Sequence, residues 1–208
     1  MIISQTPESY SQIASVIANG GVIAFRTDTF YGLGADPFNR AAVQKIKELK
    51  GREGDQPILV VISDRELISR FIAEPSPAFH LLARTFWPGP LTLIGRAAAE
   101  VPEEITAGTE TIGVRLPGDD TVRFLVAGCG GALTATSANP VDEKPAKTAQ
   151  EVSSYFGDAV DLIADGGAAT ADQPSTVVNV CGVEPHLIRQ GAISWSQIMT
   201  AIRPIKTL

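Results

Sequence analysis

Apolar side chains recur at helical spacing at Ile13, Val16 and Ile17, the pattern stops at Gly20-Gly21, and residues 22–25 form a short apolar run of strand type. A helix, a turn and a strand are expected in that order. Over residues 41–49, Val43, Ile46 and Leu49 share one face while Arg40, Lys45 and Lys47 fall off it, which predicts an amphipathic helix ending at Lys50-Gly51-Arg52. The aliphatic run 57–62 suits a buried strand. Helical stretches follow near 65–72 and 77–86, and Trp87-Pro88-Gly89-Pro90 stops the second of them. Further strands are expected at 91–94, 111–116, 132–135, 160–164, 176–180 and 185–189, with helices near 120–127, 149–156 and 195–202. Ser194 is placed to cap the last helix.

This alternation predicts an α/β fold, a sheet covered by helices. Several strands are joined by short turns containing Gly or Pro, notably Cys181-Gly182-Val183-Glu184, so parallel and antiparallel pairing should be mixed. At 208 residues, without repeats or low-complexity tracts, the chain is expected to form a single domain over 1–208, with its core at about 9–203 and a short C-terminal tail. The start lacks the basic and apolar regions of a leader, and no apolar run approaches the roughly 20 residues of a membrane span. A soluble, cytoplasmic protein is expected.

Charge narrows the function classes. With 17 Lys and Arg against 23 Asp and Glu, the formal charge is −6, so the overall field repels polyanions and any anion must be held by local clustering. Cys129 and Cys181 stand far apart, in neither a zinc spacing nor a disulfide framework. His80 and His186 have no metal-ligand pattern around them, and neither Ser-His-Asp nor Cys-His spacing suggests a covalent nucleophile.

Five segments carry candidate chemistry, and the first four each have a plain structural alternative. Thr27-Asp28-Thr29-Phe30-Tyr31-Gly32-Leu33-Gly34 follows a strand and clusters hydroxyls, a carboxylate and two glycines, as a ligand loop or a capped glycine turn would. It lacks the third glycine of a dinucleotide motif, and the chain has no Walker A loop. Lys50 and Arg52 flank a glycine and could grip a polyphosphate or simply complement a helix dipole. Ser137 and Asn139 follow a short strand, where α/β ligand crevices open and where an Asn-Pro turn would also fit. Arg115 sits in an otherwise apolar strand, so it binds an anion or occupies a sheet edge facing water. Arg189 and Ser175 close and precede the last two strands and could face the same crevice.

Together, the 27–34 segment, Lys-Gly-Arg followed by Pro57, Trp-Pro-Gly-Pro-Leu-Thr at 87–92, Gly-Val-Arg-Leu-Pro at 113–117, Thr-Ser-Ala-Asn at 136–139 and Pro-Ser-Thr-Val-Val at 174–178 resemble the YrdC-like family, in the same order. The resemblance implies an open twisted mixed sheet around a positively lined cavity, and synthesis of threonylcarbamoyl-AMP and pyrophosphate from ATP, bicarbonate and L-threonine for tRNA modification. It further implies ATP contacts from Lys50, Arg52, Thr111, Ser137, Asn139 and Arg189, and threonine contacts from Thr29, Arg115 and Ser175. Lys50, Arg52 and Arg115 would act on the reacting groups. Mg2+ would arrive with ATP, and a tRNA threonylcarbamoyltransferase complex would be a transient partner.

Three departures stand out against the family pattern: Arg26 where many relatives have Pro, Gln190 where Pro is common, and Val61 where some carry a threonine-contacting His. The chain also ends without the extra domain of longer relatives and so resembles the short form. Two other classes compete: a non-catalytic RNA-binding module, disfavoured by the acidic charge and 6% aromatic content, and a carbamoyl-adenylating domain using carbamoyl phosphate, whose accompanying cysteine motifs are absent.

Overall fold

A computed structural model describes residues 1–51 and 56–203. In chain order the elements are β1 (Ile2–Ser4), α1 (Tyr10–Ala18), β2 (Ile23–Arg26), β3 (Tyr31–Gly34), α2 (Arg40–Leu49), β4 (Val60–Ile62), α3 (Ile68–Phe71), α4 (Pro77–Phe86), β5 (Leu91–Arg96), α5 (Glu103–Thr106), β6 (Thr111–Arg115), α6 (Asp120–Gly128), β7 (Ala132–Thr134), β8 (Thr136–Ser137), α7 (Ala149–Phe156), β9 (Leu162–Asp165), β10 (Thr176–Asn179), β11 (His186–Arg189) and α8 (Trp195–Ile202).

The helices begin where side chains can satisfy their first free amides. Asn39 accepts from Ala42 N to open α2, Ser76 accepts from Phe79 N ahead of Pro77 in α4, and reciprocal capping boxes, Thr148 with Glu151 and Ser194 with Gln197, open α7 and α8. The 65–72 stretch divides into a 3-10 turn, Arg65–Leu67, followed by α3. Among the described residues no helix is long and apolar enough to cross a membrane.

The mixed pairing is as expected, spread over two sheets. The first runs β1-β9-β2-β3-β8 and the second β11-β10-β5-β6-β4-β7. Pairing is parallel at β1/β9, β2/β9, β10/β5 and β4/β6 and antiparallel elsewhere. The chain steps from one sheet to the other between β7 and β8, and Ala135 N donates to Leu59 O across that step. Ile13, Ile17, Ile23, Phe25, Val61, Val122, Leu125 and Leu133 form one buried cluster beneath α1 and α6. A larger cluster joins the strands to α2, α4, α7 and α8, with Phe79 packed edge-on against Trp87 at 5.7 Å.

Part of the 27–34 loop proves to be β3. Its two glycines conceal the strand because both are set by close approach: a Cβ at Gly34 would lie 2.7 Å from the Phe25 ring, and one at Gly32 would lie 3.3 Å from Thr136 O. Gly191 is tighter still. A Cβ there would stand 2.3 Å from Pro174 O and 2.6 Å from Thr176 N, so only glycine lets the segment after β11 lie against the start of β10. Gly191→Ala is therefore expected to cost about 2 kcal/mol or more, by forcing this backbone apart. A fall in the urea midpoint checks this.

Candidate functional site

A cavity of about 620 Å3 opens where parts of both sheets meet. Thr27, Thr29 to Gly32 and Ser137 wall it from the first sheet, and Thr92, Gly113 and Arg115 from the second, while Ser175 and Arg189 close it from β10 and β11. Its charged lining residues are Arg115 and Arg189, and no Asp or Glu is among the described ones. The interior therefore favours anions although the whole chain is acidic.

Arg115 ends β6 and is 3% exposed, which rules out the solvent-facing edge position. Its Nη1 lies 3.3 Å from Asp28 Oδ1 and donates to Thr29 Oγ1 at 3.3 Å. The ion pair is close, but Asp28 Oδ1 makes no hydrogen bond, and Arg115 Nε, shut off from solvent, has no partner among the described residues. Asp28 thus offsets the charge and leaves donor capacity unspent. The loop is shaped from within: the Thr27 hydroxyl donates to Phe30 O at 2.7 Å and accepts from Thr29 N at 3.1 Å, and Asp28 Oδ2 accepts from Gly118 N at 3.0 Å.

On the facing wall Arg189 grips Ser175 three times, its Nη2 donating to Ser175 O at 3.0 Å and to Ser175 Oγ at 3.1 Å and its Nε to Ser175 O at 3.3 Å. The Thr92 hydroxyl, 1% exposed, shares a hydrogen bond with Ser175 Oγ at 3.0 Å. Desolvation, and then the like charge of Arg115, hold the Arg189 pKa below the ordinary arginine value. The two guanidiniums thus sense each other across the cavity, and an anion between them would relieve that repulsion.

Lys50 follows α2 and is 2% exposed. Its Nζ donates to Ser137 O at 2.6 Å and Asn139 O at 2.9 Å, with Ser137 Oγ and Asn139 Oδ1 both at 3.3 Å. The ammonium thus winds the Ser137–Asn139 turn around itself, and Asn139 Nδ2 fastens the next turn through Pro140 O and Glu143 O. Ser137 lines the cavity, whereas Lys50, Asn139 and Thr111 lie outside the lining. By strand alternation Thr111 shares a face with Gly113 and Arg115, and its hydroxyl meets that of Thr109 at 3.0 Å. Arg52 lies outside the described residues. Val61 is buried in the α1/α6 cluster, not in the cavity wall.

His80 and His186 are exposed and away from the cavity, burial pushes the Cys129 thiol up to about 12, and the described residues hold no metal-ligating cluster. The sequence motifs contain Asp28 and Thr92 but assign them no role. A polar residue inside the apolar run 91–94 was a usable signal for Thr92, whereas Asp28 as the counter-charge of Arg115 is a long-range pairing that spacing cannot reveal.

The Sua5/YciO/YrdC family model, described as telomere recombination, matches residues 15–191. A threonylcarbamoyl-AMP synthase of Pyrococcus abyssi is 35% identical over 194 residues, covering 93% of this chain, which spans 57% of that relative's length. One from Halorhodospira halophila is 32% identical over 164 residues, covering 79% of this chain and 86% of its own. The crystal structure of P. abyssi Sua5 complexed with L-threonine matches with a TM-score of 0.93 at 32% identity, over 97% of this chain and 61% of that one. The motifs around the cavity fall within the matched span, and the chain belongs to the Sua5/YciO/YrdC family.

Proposed function

We propose that this chain is a threonylcarbamoyl-AMP synthase, joining L-threonine, bicarbonate or CO2, and ATP into L-threonylcarbamoyladenylate with release of pyrophosphate, in the service of tRNA modification. The observation that carries the reading is the pair of converging arginines, Arg115 and Arg189, in a cavity whose described lining has no carboxylate, in a chain whose relatives bear that name. A carboxylate, a carbamate and a triphosphate brought together repel one another strongly, and the protein's main task is to neutralise and align them.

In this reading the threonine carboxylate meets the cavity-lining side of the Arg115 guanidinium, beside the hydroxyls of Thr29 and Ser175. Ser137, Asn139, Arg189 and Thr111 face the nucleotide, with Lys50 and Arg52 at its phosphates. Because Lys50 already braces the 137–139 turn, part of its effect on ATP passes through that turn. The threonine amine takes up CO2, or bicarbonate with loss of water, to give a carbamate. A carbamate oxygen attacks the α-phosphorus, and the bond to the bridging oxygen breaks to release pyrophosphate. Mg2+, entering with ATP, would be held by phosphate oxygens and water and would offset phosphate charge, which suits a cavity whose described lining has no acidic residue. The product is a mixed anhydride that a separate threonylcarbamoyltransferase would consume, and the acidic surface favours handover through protein contact over RNA capture.

Pyrophosphate release from ATP, Mg2+ and bicarbonate is expected only with L-threonine, and not with L-serine at equal concentration, with carbamoyl phosphate or without an amino acid; release driven by carbamoyl phosphate would overturn the reading. Arg115→Lys keeps the charge but loses the fork, and is expected to raise the threonine KM about 30-fold, on the order of 2 kcal/mol, with a much smaller change for ATP. Lys50→Ala should do the reverse. Steady-state kinetics in each substrate check both, and equal effects on the two substrates in either variant would contradict the division of the site.

A further inference from the structure

Arg26 is the last residue of β2 and immediately precedes the loop that carries Asp28 and Thr29. Its Nη2 lies 2.6 Å from Asp119 Oδ2 and 3.5 Å from Thr121 Oγ1, and Asp119 in turn caps α6, accepting from Thr121 N at 2.8 Å. Both partners are largely sheltered, at 20% and 24% side-chain exposure. Two residues further on, Asp28 Oδ2 accepts from Gly118 N. Through these two contacts the end of β2 and the loop after it grip residues 118–119 at two adjacent points. That turn begins three residues after Arg115 and is held from the other side by Arg123, whose Nη1 donates to Pro117 O at 2.6 Å.

We propose that Arg26 and Asp119 form a positioning pair that holds the Thr27–Thr29 loop at a set distance from Arg115 and so determines affinity for the amino acid, not for the nucleotide. This rests on the reading of Arg115 as the threonine carboxylate receiver. Asp28 stands beside Arg115 without hydrogen-bond geometry, near enough to offset its charge and not so engaged as to occupy its donors. A carboxylate free to move would close onto a guanidinium as a bidentate pair. The ligand would then compete with Asp28 for Arg115. Gly118 N alone is a single neutral donor about which the loop can pivot, and the charged Arg26–Asp119 link is the second anchor that prevents this. Arg26 Nε, sheltered and without a partner among the described residues, faces Gly166, where a Cβ would lie 2.9 Å away, so the segment after β9 backs the guanidinium and limits its drift.

The pair is tested with Arg26→Ala, Arg26→Lys, Asp119→Asn and the Arg26→Ala/Asp119→Asn double variant. Asn still caps a helix, so Asp119→Asn removes the charge and leaves α6 its N-cap. Lys45→Ala, which breaks the half-exposed Lys45–Asp161 pair away from the cavity, serves as control. L-threonine binding to the wild-type protein is measured first by calorimetry, because its absence would refute the underlying reading and not the pair. Given binding, the threonine Kd is expected to rise about five- to tenfold in Arg26→Ala and in Asp119→Asn, with no further rise in the double variant. Arg26→Lys should recover most of the affinity, and the ATP Kd should stay within about twofold throughout. Unchanged threonine affinity in both single variants, with only the melting temperature lowered, would overturn the proposal. So would additive losses in the double variant, or losses as large for ATP as for threonine.

Discussion

A guanidinium buried at the end of a central strand is the constraint around which this structure is organised. Arg115 is 3% exposed, and a charge taken so far from water needs a counter-charge and hydrogen bonds close at hand. Both come from the other sheet, through Asp28 and Thr29 in the loop after β2. The requirement to compensate one arginine thus ties the two sheets together at the cavity. The compensation is incomplete, since Nε has no partner among the described residues.

The remaining polar architecture keeps that arrangement in place. Arg189 holds Ser175, Thr92 shares Ser175 from the floor, and Gly191 lets the chain after β11 press against the start of β10. Lys50, outside the lining, gathers the carbonyls of Ser137 and Asn139. Each is a short-range device placed by a longer-range feature, a strand pairing or a capped helix. A cavity built this way can be basic inside while the molecule carries a net charge of −6, since the buried Arg115 and the more exposed Arg189 line it and Asp28, the carboxylate beside Arg115, is not among the lining residues.

Helices were legible where periodicity and capping agreed. The bounds expected for α4, α7 and α8 match the structure, where Ser76, Thr148 and Ser194 cap them, and of these caps Ser194 was read from the sequence. The longer apolar strands were legible for the same reason. What escaped was β3, whose glycines answer to Phe25 and to the backbone of β8, neighbours that no local pattern announces, together with β1, β8 and α5, too short to express a period. At the site, Arg115 could be read as anomalous from its apolar surroundings alone, and Ser175 and Arg189 from their place at strand ends. Asp28 as the partner of Arg115, Lys50 as the brace of the 137–139 turn and the Arg26–Asp119 link join residues far apart in the chain, and only the folded topology brings them together.

The most direct test is a crystal structure of the protein with bound L-threonine. The threonine carboxylate is expected within hydrogen-bonding distance of Arg115, with Asp28 still bonded to Gly118 N and the ligand's amine open to the cavity toward Arg189. A carboxylate seated away from Arg115, or Asp28 closed onto that guanidinium in its place, would contradict it.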